Sequence, residues 1–446
     1  MDDQEYIVED NAFEIPFLAG PKTYQVEVMA LGDWKKTKDS VCGEIEYTKV
    51  LAEAEGEKDG FHFVLMEDLE SYEIVACDNK EGYVEFPDDY LDYPVKKIGG
   101  KLFAPPQTSN GMFLANPQTG EYCNKITTGI KLPRYLEEIG DYAFCYCLAL
   151  QEVVMPDSVT TIGHSAFSRC YSLRDIHLPS SLRTVETCAF QYAVYGTQEL
   201  VFPNGIESIG ISAFIGGKDE HFNLNFSSQL EKVVIPGTIK KVRQTAFANN
   251  QSLKEIEIQT ENIEEFGERV FVYTAWYEAQ PEGFVYLDKI LYEYKGDLPE
   301  NYKLTVNADV VGIAGHAFAY QENLTEAWLA DGVKLLGDSI FARTGLKTVR
   351  LPADLTFIPM CTITTDAAGM QEIEVPASVT QIEGRGLCIV GGRIILHTKC
   401  RVEVDSFMTH ARVCYEGVDY TYSARRPTFE GNYWHVDENG YFAIWE

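Results

Sequence analysis

One phrase recurs along this chain: an extended apolar stretch ending in proline, an aliphatic residue six positions later, and phenylalanine eleven positions after the proline. It reads LPRYLEEIGDYAF from Leu132, MPDSVTTIGHSAF from Met155, LPSSLRTVETCAF from Leu178, FPNGIESIGISAF from Phe202 and IPGTIKKVRQTAF from Ile235. A repeat of this period constrains the fold more than any local propensity, because each unit must stack on its neighbours to bury its apolar side chains.

The proline position of the phrase, called the Pro slot below, continues beyond the five clearest copies. It holds Pro133, Pro156, Pro179, Pro203, Pro236, Gln259, Asn307, Ala330, Pro352 and Pro376. Most intervals are 22–24 residues, and the two longer ones are 33 and 48 residues. A unit of this length lies in the leucine-rich repeat range. The two longer intervals predict insertions near residues 216–227 and 276–302.

The segment before each Pro slot, as in LQEVVMP or LKTVRLP, alternates apolar and polar residues, which is typical of a short strand. Proline ends such a strand because it has no N–H to donate to the next ladder. The phenylalanine slot predicts a continuous core column through the stack. Its members are Phe144, Phe167, Phe190, Phe214, Phe247, Phe318 and Phe341.

The repeated slots resemble those of the BspA-like leucine-rich repeats. The resemblance covers about residues 127–397, and it rests on Ile-Gly pairs such as Ile139-Gly140, Ala-Phe pairs such as Ala143-Phe144, and a cysteine three residues after the phenylalanine, as in Cys147. It implies a mostly β leucine-rich repeat solenoid with parallel strands on one face, short helical or irregular return segments, and small caps at both ends. It also implies a bacterial surface or secreted protein with a role in adhesion or protein binding.

Four regions follow from this reading. They are an N-terminal capping domain with strands at 1–80, a degenerate first repeat plus an insertion at 81–126, the solenoid at 127–397, and a C-terminal β cap at 398–446. In the last region Asn439-Gly440 stands between apolar alternating stretches, which predicts a hairpin.

The formal net charge of −31 argues against a nucleic acid partner, since phosphate binding needs a basic surface. No apolar run approaches the ~18 residues of a membrane span, so membrane insertion is not expected. The location stays open. The acidic N-terminus lacks the features of a secretory signal, which fits an intracellular protein or a chain without its leader, and the odd number of eleven cysteines fits a reducing cytoplasm. The family resemblance favours the cell surface or secretion instead.

No catalytic signature is present, and neither a cofactor nor a metal site is expected. Ser165, Ser212 and Ser339 lie in the repeat frame and are not predicted nucleophiles. Cys145, Cys147, Cys170 and Cys188 occur in neighbouring units, which favours buried thiols bonded to backbone carbonyls over a metal or redox site, because no four-ligand set exists. Asn250 fits a glycosylation sequon, but it occupies the cysteine slot, where its amide would bond backbone inside the stack.

The best candidate for a functional surface is the strand position two residues before each Pro slot. The candidate ligand-binding residues there are His177, Glu257, Trp328, Arg350 and Glu374, with Val154, Val201 and Val234 in the same column. Parallel strands about 4.8 Å apart would align them into one stripe. The leading hypothesis is a non-enzymatic scaffold that presents this face to a protein or glycan. The alternatives are an enzyme or carbohydrate-binding module in the terminal regions with the solenoid as a spacer, and a structural component of the cell envelope.

Overall fold

The protein is a parallel β-solenoid of about 13 turns, seen in a computed structural model. The structure describes residues 24–28, 43–47, 54–107, 123–219, 224–225, 228–365, 370–389, 392–403 and 412–445. A typical coil contains two short strands, one ending before the Pro slot and one at the Ile-Gly pair, as in Glu152–Val154 and Thr161–Ile162. The predicted fold class is confirmed. The strands that end before the Pro slot form one surface, which we call the strand face. The strands at the Ile-Gly pair form the other, which we call the ladder face.

The ladder face carries the longest sheet, of eleven strands. In chain order these strands are Glu55–Lys58, Phe61–Leu65, Tyr72–Cys77, Asp89–Tyr90, Tyr93–Ile98, Glu138–Ile139, Thr161–Ile162, Thr184–Val185, Ser208–Ile209, Lys241–Val242 and Glu265–Phe266. Two shorter sheets follow on this face. They comprise Gly283–Leu287, Ile290–Lys295, Gly312–Ile313 and Leu335–Leu336, then Phe357–Ile358, Gln381–Ile382 and Arg401–Val402.

Hydrogen-bonded pairing divides the strand face into four sheets, so the predicted stripe does not lie on one continuous sheet. The first three sheets contain Gly82–Glu85, Thr127–Lys131 and Glu152–Val154, then Glu199–Val201, Lys232–Ile235 and Glu255–Ile258, then Tyr302–Val306, Leu324–Leu329 and Thr348–Arg350. The fourth contains Glu372–Val375, Arg393–Leu396, Arg412–Tyr415, Val418–Tyr422, Tyr433–Val436 and Phe442–Ile444.

The remaining elements are three short strands, two antiparallel pairs and one helix. Phe341–Ala342, Ile363–Thr365 and Leu387–Ile389 form a further parallel sheet, and two antiparallel pairs join Tyr24–Val28 to Gly43–Tyr47 and Lys218–Asp219 to Leu224–Asn225. The one helix among the described residues is Ala275–Glu278, in the second insertion, so the return segments are irregular turns.

Glycine at the Ile-Gly position is required by the closeness of adjacent coils. A Cβ at Gly140 would lie 2.5 Å from the carbonyl oxygen of Ile98, and one at Gly210 would lie 2.4 Å from the backbone nitrogen of Thr187. Both contacts are with backbone, which cannot swing away as a side chain can. The Ile-Gly motif therefore has a steric cause: any residue larger than glycine would clash with the backbone of the adjacent coil.

The phenylalanine column forms the core of the first half of the stack. Phe144, Phe167, Phe190, Phe214, Phe247 and Phe271 stack in order, with ring centroids 5.1–5.4 Å apart and interplanar angles of at most 14°. All of these rings are fully buried.

The column is not continuous, which corrects the sequence prediction. The second insertion places Tyr292 and Trp276 against Phe271, with centroid distances of 6.4 and 5.8 Å, and the stack resumes only with Phe318 and Phe341, 5.7 Å apart. The buried residues accordingly form two large clusters. The insertion thus supplies its own aromatic side chains where the repeat pattern is interrupted.

The two ends of the solenoid are built differently from its middle. At the N-terminal end Glu55–Lys58, Phe61–Leu65 and Tyr72–Cys77 pair antiparallel, and Tyr72–Cys77 then pairs in parallel with Tyr93–Ile98. At the other end the predicted hairpin is confirmed, since Tyr433–Val436 pairs antiparallel with Phe442–Ile444. Of the predicted regions, 1–23, 29–42, 48–53, 108–122, 220–223, 226–227, 366–369, 390–391, 404–411 and 446 lie outside the described residues.

Candidate functional site

Trp328 and Arg350 are the two candidate residues that the fold brings into direct contact. The parallel register of the third strand-face sheet aligns Thr305, Trp328 and Arg350 side by side. The guanidinium carbon of Arg350 lies 5.4 Å from the Trp328 ring centroid, a cation–π arrangement. Arg350 Nη2 also lies 3.6 Å from Asp331 Oδ1. The Trp328 side chain is nevertheless 57% exposed, so this pair is a large aromatic and cationic feature on a rigid sheet.

The other three candidates are spread over the face. Glu374, in the fourth sheet, is hydrogen-bonded to His397, with 2.7 Å between Oε1 and Nε2, and Glu257, in the second sheet, forms an ion pair with Lys232. His177 is exposed, and the strand-face segment around it forms no strand. These three do not join Trp328 in one sheet, and the acidic members already have partners within the protein.

Tyr83 is an exposed aromatic residue of the strand face that was not among the predicted site residues. It lies in the first sheet, opposite Gly129, and it is 51% exposed. The signal was available, because YVEFP from Tyr83 has the alternation and terminal proline of the repeat phrase, and its Pro87 stands 46 residues before Pro133. This copy lies in the degenerate first repeat predicted at 81–126, upstream of the first assigned Pro slot, Pro133.

The cysteine slot, three residues after the phenylalanine, satisfies backbone carbonyls inside the coils. The Cys170 thiol donates to the Phe144 carbonyl at a sulfur–oxygen distance of 3.2 Å, and the Thr274 hydroxyl donates to the Phe271 carbonyl at 2.7 Å. Burial raises the pKa values of the slot cysteines Cys147 and Cys170 well above their usual range. It also raises the pKa of Cys145, which directly follows Phe144, to about 12. These thiols have a structural role, because a buried thiol with a raised pKa is a poor nucleophile.

Asn250 occupies the same slot and confirms the prediction of an amide inside the stack. Its Nδ2 donates to the carbonyls of Phe214 and Phe247, each at 2.8 Å, and its Oδ1 accepts from Ser228 Oγ at 2.7 Å. The side chain is fully buried and is therefore inaccessible to glycosylation in the folded protein.

Ser165, Ser212 and Ser339 occupy the turn position two residues before the phenylalanine. All three have left-handed backbone conformations, with φ of 52°, 51° and 56°. The Ser212 hydroxyl bonds the Thr245 hydroxyl at 2.7 Å. These serines shape the corner of each coil. In the described part of the chain, no cluster of three or more His, Cys, Asp or Glu side chains is arranged to hold a metal ion.

A group of carboxylates on the ladder face has perturbed acidity. Burial first, and then the neighbouring charge of Asp338, raises the pKa of Glu383, while the hydrogen bond from the Met360 N–H opposes the rise. Burial and the charge of Glu265 likewise raise the pKa of Asp338. A carboxyl whose pKa is raised by folding stabilises the folded state while it is protonated, and it loses that contribution as the pH rises through the folded pKa.

Glu383→Gln is therefore expected to raise the melting temperature near pH 7, and the gain should shrink as the pH falls towards about 4. Glutamine keeps an oxygen that can accept from the Met360 N–H, which Glu383 accepts at 3.2 Å. Thermal unfolding at the two pH values measures the effect, with the exposed Glu186→Gln as the matched control on the same face. A lower melting temperature for Glu383→Gln than for wild type at neutral pH would contradict this expectation.

A comparison with protein-family models agrees with the repeated coils described above. The family model described as BspA type leucine rich repeat region matches six copies over residues 118–227, 220–280 and 298–368, just over half of the chain. A search of curated proteins finds no match. In the described ranges no helix is both long and apolar enough to cross a bilayer.

Several solved structures are similar to this chain. A leucine rich cell surface protein from Faecalibacterium prausnitzii A2-165 is 20% identical, covering 77% of this chain and 89% of that one, with a TM-score of 0.37. A leucine-rich repeat protein from Bacteroides ovatus ATCC 8483 is 18% identical, covering 82% and 94%, with a TM-score of 0.37. The pneumococcal vaccine antigen PcpA is 14% identical, covering 88% and 95%, with a TM-score of 0.32.

Proposed function

Because this chain belongs to the family of BspA type leucine rich repeat proteins, we propose that it is a non-enzymatic binding scaffold whose strand face carries a protein or glycan ligand. The observation that supports this proposal most directly is the exposed Trp328–Arg350 pair. Tryptophan and arginine are the residue types most enriched among interface anchors. A half-exposed tryptophan on a rigid parallel sheet offers a large apolar contact area that does not have to be ordered on binding.

The rest of the sheet supports the same use. Thr305 and Thr348 place hydroxyl groups beside Trp328 and Glu326, while Lys303 and Glu326 form an ion pair at 2.8 Å. This surface combines an aromatic anchor with a polar surround, as binding surfaces do.

The double variant Trp328→Ala, Arg350→Ala is expected to lose at least tenfold in affinity for a ligand identified on an array of proteins and glycans, since two anchor truncations together cost on the order of 2 kcal/mol or more. Surface plasmon resonance with the full chain gives the dissociation constants. The matched control is Tyr320→Ala, Arg343→Ala, which removes another exposed aromatic–arginine pair, with a 5.5 Å cation–π distance, from a different surface of the coils. Equal affinity of wild type and the Trp328–Arg350 variant would reject this site.

A further inference from the structure

Backbone hydrogen bonds join neighbouring coils along three lines, which are the strand face, the ladder face and the turn that carries the phenylalanine. At the junction before the second insertion, Lys232–Ile235 pairs with Glu255–Ile258, and Lys241–Val242 pairs with Glu265–Phe266. In the turn, three N–H groups donate to carbonyls of the next coil at 2.9–3.0 Å, those of Thr245, Phe247 and Asn249 to Glu268, Val270 and Val272. Because each bond is directional, the three lines together fix the register of one coil on the next.

All three lines stop at the second insertion. Glu255–Ile258 and Glu265–Phe266 are the last strands of their sheets, and the two strands that follow, Gly283–Leu287 and Ile290–Lys295, pair antiparallel with each other. No backbone-to-backbone hydrogen bond joins residues 228–280 to residues 281–365, a stretch that the structure describes without a gap. We call this boundary the seam.

Among the described coils, the other breaks in the two faces are bridged by backbone pairing. Two breaks of the strand face are bridged on the ladder face, where pairing continues through Thr161–Ile162, Thr184–Val185 and Ser208–Ile209, and through Phe357–Ile358 and Gln381–Ile382. The break of the ladder face after Leu335–Leu336 is bridged on the strand face by Leu324–Leu329 and Thr348–Arg350. The seam is therefore the break at which neither face is bridged.

Side chains make the hydrogen bonds that cross the seam. The Phe271 N–H, whose equivalent in Phe247 donates to a backbone carbonyl, donates to the Tyr292 hydroxyl at 2.9 Å. The Thr260 N–H and hydroxyl both donate to Asp288 Oδ2, at 3.0 and 2.7 Å. Further side-chain contacts join Lys289 to Thr260 and Glu261, His316 to Glu268, and Lys295 to the carbonyls of Tyr277, Glu278 and Gln280.

Apolar side chains also pack across the seam. Val285, Leu287, Ile290 and Tyr292 belong to the same buried cluster as Phe271. Apolar packing is non-directional, so the side chains can slide past one another while they stay in contact. The seam therefore lacks the fixed register that backbone bonds impose at the regular junctions.

The chain crosses the seam once, through an exposed segment. Glu278, Ala279, Pro281 and Glu282 are exposed. Gly283, at the end of the segment, has φ of 118°, and beyond its chain neighbours no atom lies within 4 Å of the position that a Cβ would occupy. A glycine in open space gives this connection room to change its conformation.

We propose that the seam is a hinge built into the solenoid, and that the described coils before it and those after it are two cooperative units that open and unfold separately. In a stacked-repeat protein stability spreads from coil to coil through each interface, so a weak interface ends the cooperative unit. This inference goes beyond the proposed function and does not depend on it, since Trp328 and Arg350 both lie in the second unit.

Two matched substitutions, one in each unit, test this division. Phe167 and Phe341 are both fully buried, and each stacks on a neighbouring ring, at 5.1 and 5.7 Å. Hydrogen exchange of the full chain, followed by mass spectrometry over a urea series, gives an unfolding midpoint for each peptide. Phe167→Leu is expected to lower the midpoints of peptides at 72–98 and 232–258 by about 0.5 M or more and to leave those at 302–350 unchanged. Phe341→Leu should lower the midpoints at 302–350 and leave the other two unchanged.

An equal shift of all these peptides by either substitution would show a single cooperative unit and overturn the inference. So would a shift by Phe167→Leu that does not reach 232–258, because the boundary would then lie elsewhere. Ile162→Val and Ile313→Val, at fully buried positions in the same two units, form a milder pair that replaces a leucine variant which does not fold. Ligand binding by the Trp328–Arg350 pair is measured separately, so failure of this inference is distinct from failure of the proposed function.

Discussion

Replacing Phe167 with alanine is expected to destabilise the folded protein by about 3–5 kcal/mol. The ring is fully buried and stacks between Phe144 and Phe190, at centroid distances of 5.2 and 5.1 Å. Truncation removes buried apolar area and leaves a cavity whose walls belong to three successive coils. Those walls cannot collapse freely, because each coil is fixed by backbone hydrogen bonds such as Phe167 N–H to the Ala189 carbonyl at 2.7 Å.

Urea unfolding monitored by circular dichroism measures the free energy of this change. Phe429→Ala is the control, since the Phe429 side chain is 79% exposed and its removal should shift stability by less than about 0.5 kcal/mol. An unchanged unfolding midpoint for Phe167→Ala would show that the aromatic stack does not stabilise the solenoid.

Replacing Asn250 with alanine is the second large change, with an expected loss of about 3 kcal/mol. The cost has a different origin from that of Phe167. The amide makes hydrogen bonds to the carbonyls of Phe214 and Phe247 in two adjacent coils and accepts a third from Ser228, all at 2.7–2.8 Å. Alanine would leave polar groups unpaired at a fully buried position, where water cannot replace the lost bonds.

Asn250→Thr tests this mechanism, because threonine in the same slot bonds a backbone carbonyl elsewhere in the chain, as Thr344 Oγ1 does to the Phe341 carbonyl at 3.0 Å. Threonine should therefore cost less than alanine, since it restores one of the three bonds. The exposed Asn204→Ala serves as the control in the same urea unfolding experiment. Equal losses for the threonine and alanine variants would show that packing, and not hydrogen bonding, sets the cost at this position.

The repeat register was predictable because it rests on requirements that each unit meets locally. Phe144 and its equivalents are buried wherever the phrase is intact, and Asn250 bonds the carbonyls that its slot implied. The Ile-Gly motif was recognisable as a pattern, but its cause was not. The contact between a Cβ at Gly140 and the Ile98 carbonyl involves two coils about 40 residues apart in sequence, and this distance depends on how closely the coils stack.

The candidate surface was predictable only in part. The register that aligns Trp328 with Arg350 follows from equal spacing to their Pro slots, and the structure places these residues in contact. His177, Glu257 and Glu374 share that spacing but not the sheet. Their separation results from breaks in strand pairing, and the spacing of the repeat does not contain that information.

The sequence by itself determined a stacked solenoid, its family and the identity of its core slots, because a period of about 23 residues forces each unit to bury its apolar residues against the next. The tertiary structure alone decided where the stack is interrupted by Tyr292 and Trp276, where the strand face divides, and that the Tyr83 ring lies over Gly129. These features depend on contacts between specific coils and insertions. A repeat pattern describes what the units share, and it carries no information about contacts that only one pair of them makes.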